Sequence, residues 1–317
     1  MSSSLRRSAF VLVFLFVVAA PLRSAAAPAS ALAQLPADAR RVLFLGDSIT
    51  HGGGYVVAVE TYFLTRRAAR TVEFINCGLG SETVSGLTED GHAGGKFPRP
   101  DLHERLARVL AQTKPDPIFA CYGMNDGIYQ PLAEERFAKF RDGITRLHEA
   151  ATHAGARIIH VTPPVFDELH GKFPGYDGVL ARYAEWLVSQ RAAGWTVIDL
   201  HTAMRAALDE RRRADPKFTF ARDSVHPDDA GHWIMARAIL AGLGATDLGD
   251  VSSAAAMAAT HSRGAEILKL VAERQALMKL AWLTATGHTR PGVKAGLPLD
   301  EARARAAAID QQISNLR

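Results

Sequence analysis

Cysteine is nearly absent from this chain. The 317 residues hold two, Cys77 and Cys121, so no disulfide framework builds the fold. Neither a Cys-x-x-Cys nor a His-x-x-x-His pair occurs, which removes the usual starting points for a zinc site. No charge of one sign dominates: 37 Lys and Arg face 33 Asp and Glu. Three of the basic residues, Arg6, Arg7 and Arg23, fall in the first 33 positions, which contain no acid. The remainder therefore balances 34 against 33, a net of +1, which is no nucleic-acid footprint. Long apolar runs are missing too. The longest, Ala9 to Ala20, has 12 residues, short of the roughly 20 that a membrane-spanning helix needs.

That short run does have a meaning. Arg6 and Arg7 precede it and small residues follow it, the layout of a secretory signal peptide. The expected cut is after Ala33 in Ala31-Leu32-Ala33; a cut after Ala27 is the alternative, disfavoured because Pro28 would follow it. An uncleaved anchor is the other reading. No cysteine stands directly after the run, which argues against a lipoprotein. The expectation is a secreted or periplasmic protein, without stable membrane insertion after cleavage.

Beyond residue 33, apolar runs and helical patterns alternate. Strands are predicted at Val42–Leu45, Val72–Asn76, Pro117–Tyr122, Arg157–Thr162 and Thr196–Leu200. Helices are predicted at Tyr55–Ala68, Leu102–Gln112, Leu132–His153, Val179–Ala193, Thr202–Ala214 and Asp228–Leu243. This alternation implies an α/β fold, a parallel sheet with helices on both faces. Residues 34–243 suffice for one domain with its own core. Residues 244–317 lie outside it: Ser262–Thr286 and Leu299–Leu316 read as two helices around a Gly287–Gly292 turn. Ile267, Leu270, Val271, Arg274, Leu277, Met278 and Trp282 recur near helical spacing in the first. A helical hairpin packed on the domain is expected, with a dimerising heptad seam as the alternative.

Ligands of open parallel sheets bind just outside the carboxyl ends of strands. There the first strand ends in Gly46-Asp47-Ser48. A serine before a helix is commonly an N-cap; it becomes a candidate nucleophile when a histidine and an acid occur elsewhere. Asp223-Ser224-Val225-His226-Pro227 supplies both, with an acid three residues before a histidine. The carboxylate can fix the ring tautomer and leave the other nitrogen to take the serine proton. Two more loops follow strands: Asn76-Cys77-Gly78-Leu79-Gly80-Ser81-Glu82-Thr83 and Gly123-Met124-Asn125-Asp126. The Asn125 amide and a backbone N–H of the former are candidate donors to a developing oxyanion, where one donor is worth roughly 3–4 kcal/mol of barrier.

Together these four blocks, Gly46-Asp47-Ser48, Asn76–Thr83, Gly123-x-Asn125-Asp126 and Asp223-x-x-His226, resemble the SGNH hydrolases, also called the GDSL esterase/lipase family, over residues 41 to 243. The resemblance implies that Ser48 is the nucleophile, His226 the general base and Asp223 its orienting acid. It implies an oxyanion hole made by the Ser48 N–H, the Asn125 side chain and a backbone N–H of Gly80 or Ser81. One departure is visible: the family reads Asn-x-Gly-x-x-Gly, whereas Ser81 stands at the last position here and glycine one earlier. His51-Gly52-Gly53-Gly54 looks like the oxyanion segment of α/β-hydrolase lipases, but that fold needs a Gly-x-Ser-x-Gly elbow, and none exists. No Gly-Lys-Ser/Thr follows the glycine run, which excludes a phosphate loop. His51 is read as a loop residue.

The fold expected is a flavodoxin-like three-layer sandwich with a five-stranded parallel sheet in the order 2-1-3-4-5, plus the C-terminal hairpin. In that order Cys77 and Cys121 sit at the ends of strands two positions apart, about 9–10 Å, beyond the roughly 7 Å that a disulfide spans between Cα atoms. Two buried free thiols are expected. Two long loops leave the catalytic edge. Glu89–Pro100 carries His92, Lys96 and Arg99 and reads as a functional loop or a solvated crossover; Pro163–Asp177 carries Phe166, His170, Phe173 and Tyr176, which wall a substrate pocket or pack the loop down. His288 and Arg290 are further candidates to reach that edge. The function expected is a secreted serine esterase without cofactor or metal, acting through an acyl-serine on O-acetyl groups of carbohydrate, with acetylated polysaccharide as partner and no nucleic acid. The alternatives are a lipid or aryl esterase, lysophospholipase or thioesterase of the same superfamily, or a non-catalytic carbohydrate-binding protein.

Overall fold

The structure is a computed structural model in which residues 33–66 and 72–317 are described. The expected export segment lies outside them, apart from Ala33. Five short strands form one sheet: β1 (Arg41–Gly46), β2 (Glu73–Asn76), β3 (Ile118–Cys121), β4 (Ile158–Val161) and β5 (Thr196–Ile198). Every pairing is parallel and the order is β2-β1-β3-β4-β5, as expected. Leu43 stands opposite Ile75 on one side and Ile118 on the other, which fixes the register. The strands read as continuous apolar runs because both faces are covered. At their centre the Phe44 ring stacks on Phe119 at 5.1 Å and on Phe74 at 6.4 Å. The observed strands lie within those predicted and are one or two residues shorter, except β1, which extends by one residue at each end.

The helices are α1 (Ser48–Gly52), α2 (Gly54–Arg66), α3 (Leu102–Thr113), α4 (Glu134–His153), α5 (Tyr176–Ser189), α6 (Leu200–Ala214), α7 (Asp229–Gly242), α8 (Ala254–Ala258), α9 (Gly264–Thr286) and α10 (Leu299–Leu316). Right-handed crossovers sort them. With β2 and β3 on opposite sides of β1, α2 shares a face with α6 and α7, and α3, α4 and α5 cover the other. The packing agrees: α2 meets α7, α7 meets α6, α3 meets α4. On the second face Phe137 and Phe140 of α4 stack on Tyr183 of α5 at 5.2 and 4.3 Å. Cys77 and Cys121 are buried free thiols. Two short helices, α1 and α8, were not expected from the sequence.

α9 joins the C-terminal extension to this sandwich. Met278, Ala281 and Trp282 enter the main core. Ile267 and Val271 instead form a second small core with Ile309 and Ile313 of α10. Gln275 donates to the Phe74 carbonyl at 2.9 Å and so covers the open edge of β2. It also donates to Glu60 of α2 at 2.7 Å. Arg274 pairs with that same buried Glu60 and with Asp310 of α10. Arg274, counted above as part of an apolar stripe, is therefore the ionic clamp among three helices.

Candidate active site

The site begins where β1 stops. A side chain at Gly46 would place its Cβ 2.1 Å from Thr50 Oγ1 and 2.7 Å from the Cys121 carbonyl, so only glycine fits that turn. Asp47 then caps α1, its Oδ1 accepting the Ile49 N–H at 2.9 Å. Ser48 is the first residue of that helix and is half-buried. Lys279 of α9 closes the other end of α1, its Nζ donating to the His51 carbonyl at 2.5 Å. Asp47 is buried beneath the serine, and burial pushes its carboxyl up to about 7 against the opposing Ile49 hydrogen bond.

His226 meets this serine from 178 residues away in sequence. Its Nε2 lies 2.8 Å from Ser48 Oγ, and its Nδ1 lies 2.6 Å from Asp223 Oδ2. Asp223 Oδ1 also accepts the backbone N–H groups of Val225 and His226 at 3.0 and 2.8 Å. Partial burial pulls the Asp223 carboxyl upward, but the His226 ring and these two N–H groups outweigh it and hold it below the ordinary value. An ionised Asp223 places the ring proton on Nδ1 and leaves Nε2 free to accept the serine proton. The loop is fixed at both ends. Asp167 donates its N–H to the Ser224 carbonyl at 2.9 Å, and its carboxylate is held by Arg212 and Thr219, each at 2.6 Å. Beyond Pro227, Asp228 caps α7 by accepting the Gly231 N–H at 3.0 Å.

The loop after β2 forms a β-turn closed by Glu82 N–H to the Leu79 carbonyl at 3.2 Å. Ser81 occupies its third position with φ 66°, the left-handed region that a type II turn requires and glycine prefers. That is the physical content of the departure at this position. Among the described residues, no acceptor takes the N–H of Ser48, Gly80 or Ser81. Arg105 holds Glu82 through two hydrogen bonds of 2.6 and 2.8 Å, and Tyr122 adds a third at 2.7 Å. The Glu82 carbonyl accepts the Asn125 amide at 3.2 Å, and Asn125 Oδ1 accepts the Tyr129 hydroxyl at 3.1 Å. Asp126 accepts the N–H groups of Val84 and Ser85, both at 2.9 Å, and ties the two loops together. The Asn125 block and the Gly80–Ser81 turn are thus one hydrogen-bonded unit.

The loop 89–100 is knit to this unit. Arg99 pairs with Glu89 at 2.6 Å, reaches the Ser81 carbonyl at 3.4 Å and lies 5.3 Å from the centre of the Tyr129 ring. His92 also bonds Glu89, at 3.1 Å, whereas Lys96 is exposed. In the loop 163–177, Phe166 and Tyr176 are buried and pack the loop down. Phe173 stays 42% exposed, 5.1 Å from the Tyr129 ring; His170 is exposed. His51 bonds the Gly78 carbonyl through Nδ1 at 3.0 Å, a structural contact. Arg290 does reach this edge, donating to the Gly80 carbonyl at 3.1 Å; His288 is half-buried with its Nδ1 unpartnered among the described residues. Glu82, Arg105 and Tyr129 were missed in the sequence. Arg105 carried a signal, because it falls in step with Leu102, Leu106 and Val109 on the buried stripe of α3, where a charge needs a partner. Among the described residues, no group of three or more His, Cys, Asp or Glu side chains is placed to hold a metal ion.

A family model described as the GDSL-like lipase/acylhydrolase family matches residues 44–234, which include Ser48, Asp223, His226, Asn125 and the Gly80–Ser81 turn but not Lys279, His288 or Arg290. The chain belongs to the GDSL-like lipase/acylhydrolase family. It is accordingly an ester hydrolase of the GDSL type, with the five-stranded sheet of that fold. Among solved structures, a gut microbial diltiazem-metabolizing enzyme is similar at 26% identity and a TM-score of 0.53, over 65% of this chain and 47% of the other; the chain spans about half the length of that protein. An acetylxylan esterase from Geobacillus stearothermophilus is similar at 22% identity and a TM-score of 0.52, over 65% of this chain and 94% of the other. The acetyl xylan esterase AlAXEase matches at 20% identity and a TM-score of 0.52, over 63% and 98%. These last two likenesses concern the fold. No curated protein matches the chain.

Proposed function

We propose that this GDSL family member is a serine esterase that removes O-acetyl groups from carbohydrate outside the cytoplasm. The observation that carries the mechanism is the unbroken chain Ser48 Oγ, His226, Asp223 at 2.8 and 2.6 Å, beside unpaired N–H donors. Ser48 attacks the ester carbonyl while His226 Nε2 takes its proton. The oxyanion that forms is met by the Ser48 N–H, the Asn125 amide and one N–H of the Gly80–Ser81 turn. His226 then protonates the departing alcohol, and the same base activates water to release the acid from Ser48. Asp223 stays ionised throughout and stabilises the imidazolium.

The open site favours a large substrate. The side chains of His226 and Asp223 are 52% and 58% exposed, so the acylation centre lies on an open edge that a polymer can reach. Phe173 and Tyr129 beside Asn125 offer aromatic faces to a sugar ring. Two fold neighbours act on acetylated xylan, and the leader read in residues 1–33 would export the chain to where such polymers lie; no helix among the described residues is long and apolar enough to cross a membrane. Residues 34–243 form the catalytic domain in this reading, and 244–317 an extension packed on it. A panel of acetylated xylan, acetylated pectin, acetylated sugars and nitrophenyl esters of increasing chain length tests the assignment. Release of acetate from acetylated saccharides, with kcat/KM falling steeply from acetyl to octanoyl esters, is expected. A maximum at long acyl chains contradicts the substrate class and favours a lipid esterase.

A further inference from the structure

Arg290 lies between α9 and α10, outside the segment shared with the family, yet it touches the catalytic edge. Its Nε donates to the Gly80 carbonyl at 3.1 Å, its Nη1 to the Pro291 carbonyl at 2.5 Å, and its guanidinium lies 5.1 Å from the centre of the Phe97 ring. Resting on the esterase reading above, we propose that Arg290 is a positioning residue for the oxyanion hole, and that Ser81 rather than Gly80 supplies the backbone donor.

The carbonyl of Gly80 and the N–H of Ser81 belong to one peptide, and that peptide is trans. In a trans peptide the two groups point in opposite directions. A cation hydrogen-bonded to the oxygen polarises the amide and strengthens its N–H as a donor. The Gly80 N–H belongs to the preceding peptide, whose carbonyl, on Leu79, is already occupied inside the turn by the Glu82 N–H. Conformation points the same way. The peptide between Gly80 and Ser81 is the central one of the turn, and its present orientation keeps Ser81 left-handed at φ 66°, which a serine resists. Flipping that peptide would relieve the strain and turn the N–H away. Arg290 opposes the flip by holding the oxygen. Arg99 at the Ser81 carbonyl and Arg105 at the Glu82 carboxylate hold the next two residues, so three arginines fix three consecutive positions. Only Arg290 comes from the C-terminal extension. The extension therefore completes the catalytic edge rather than merely covering hydrophobic surface.

The test uses the full chain with Arg290→Gln and Arg290→Lys, read by kcat and KM on nitrophenyl acetate, by inhibition with a trifluoromethyl ketone that mimics the tetrahedral intermediate, and by thermal unfolding. Since deleting an oxyanion donor outright costs about 10²–10³ in kcat, loosening one is expected to cost Arg290→Gln about tenfold. KM should stay within about twofold, and the ketone should weaken by the same factor as kcat/KM. Arg290→Lys, which keeps the cation but not the rigid fork, should recover part of the loss. An unchanged kcat in Arg290→Gln overturns the proposal. So does a rise in KM alone, which would make Arg290 a substrate contact. Ser48→Ala run alongside separates the two layers: if it retains activity the esterase reading fails, whereas an inactive Ser48→Ala beside a fully active Arg290→Gln removes only the role of Arg290.

Discussion

At Asp223 three hydrogen bonds converge on one carboxylate, two from the backbone of its own loop and one from His226. Asp223→Asn keeps the shape but presents an amide to Nδ1, which favours the wrong tautomer. The expected result is a fall in kcat on the order of 10³–10⁴-fold with little change in KM, measured with nitrophenyl acetate at neutral pH. A kinetically silent Asp223→Asn would mean that another group orients His226. The pH dependence has a definite sign. The Asp223 carboxyl is held below its ordinary value of 3.8 in the fold, so what it adds to stability is present above that value and lost as pH falls through the lowered one. That Ser48, Asp223, His226 and Asn125 would meet was legible in the sequence because each sits in a short motif, Ser48 and Asn125 just after predicted strands and Asp223-x-x-His226 just before a predicted helix. Glu82 and Arg105 were not, because their pairing spans 23 residues and shows only when α3 docks beside the turn.

Among the elements, α9 carries the most consequence. It contributes Trp282 and Met278 to the main core, covers the β2 edge through Gln275 and neutralises Glu60 through Arg274. Burial pushes the Glu60 carboxyl up, and Arg274 and Gln275 are the groups that oppose this. Leaving one partner of a buried pair without the other costs roughly 3–5 kcal/mol, a large share of a domain's stability. Removal of residues 262–317 should therefore lower the midpoint of thermal unfolding, raise binding of an apolar dye and reduce solubility. A truncated chain that is soluble, equally heat-stable and changed only from dimer to monomer in light scattering would show α9 and α10 to be a dimerisation arm instead. The limits of α10 were legible, and those of α9 to within two residues at its start, because long periodic segments declare themselves. α1 and α8 have five residues each, too few to show a period, and their existence depends on the caps Asp47 and Ser253.

Across the whole molecule, the strand order decides which distant residues meet. Placing β1 between β2 and β3 brings the Ser48 turn between the Gly80–Ser81 turn and the Asn125 block, and the loop before α7 delivers His226 from 178 residues away in sequence. The same order separates Cys77 from Cys121 by a strand. Both stay thiols, and burial pushes the Cys77 thiol up to about 12, so neither is poised to react. This topology was legible because alternating strands and helices admit few right-handed arrangements. The contact of Arg290 with Gly80 was not, since nothing in the spacing of a turn between two C-terminal helices says which loop it will touch. The most direct measurement of the mechanism is covalent labelling of the purified chain with a fluorophosphonate, followed by peptide mass analysis. One label per chain is expected, on the peptide containing Ser48, with labelling and ester hydrolysis both lost in Ser48→Ala while its unfolding curve matches that of the parent. A label on any other serine, or full labelling of Ser48→Ala, would contradict the assignment of Ser48 as the nucleophile.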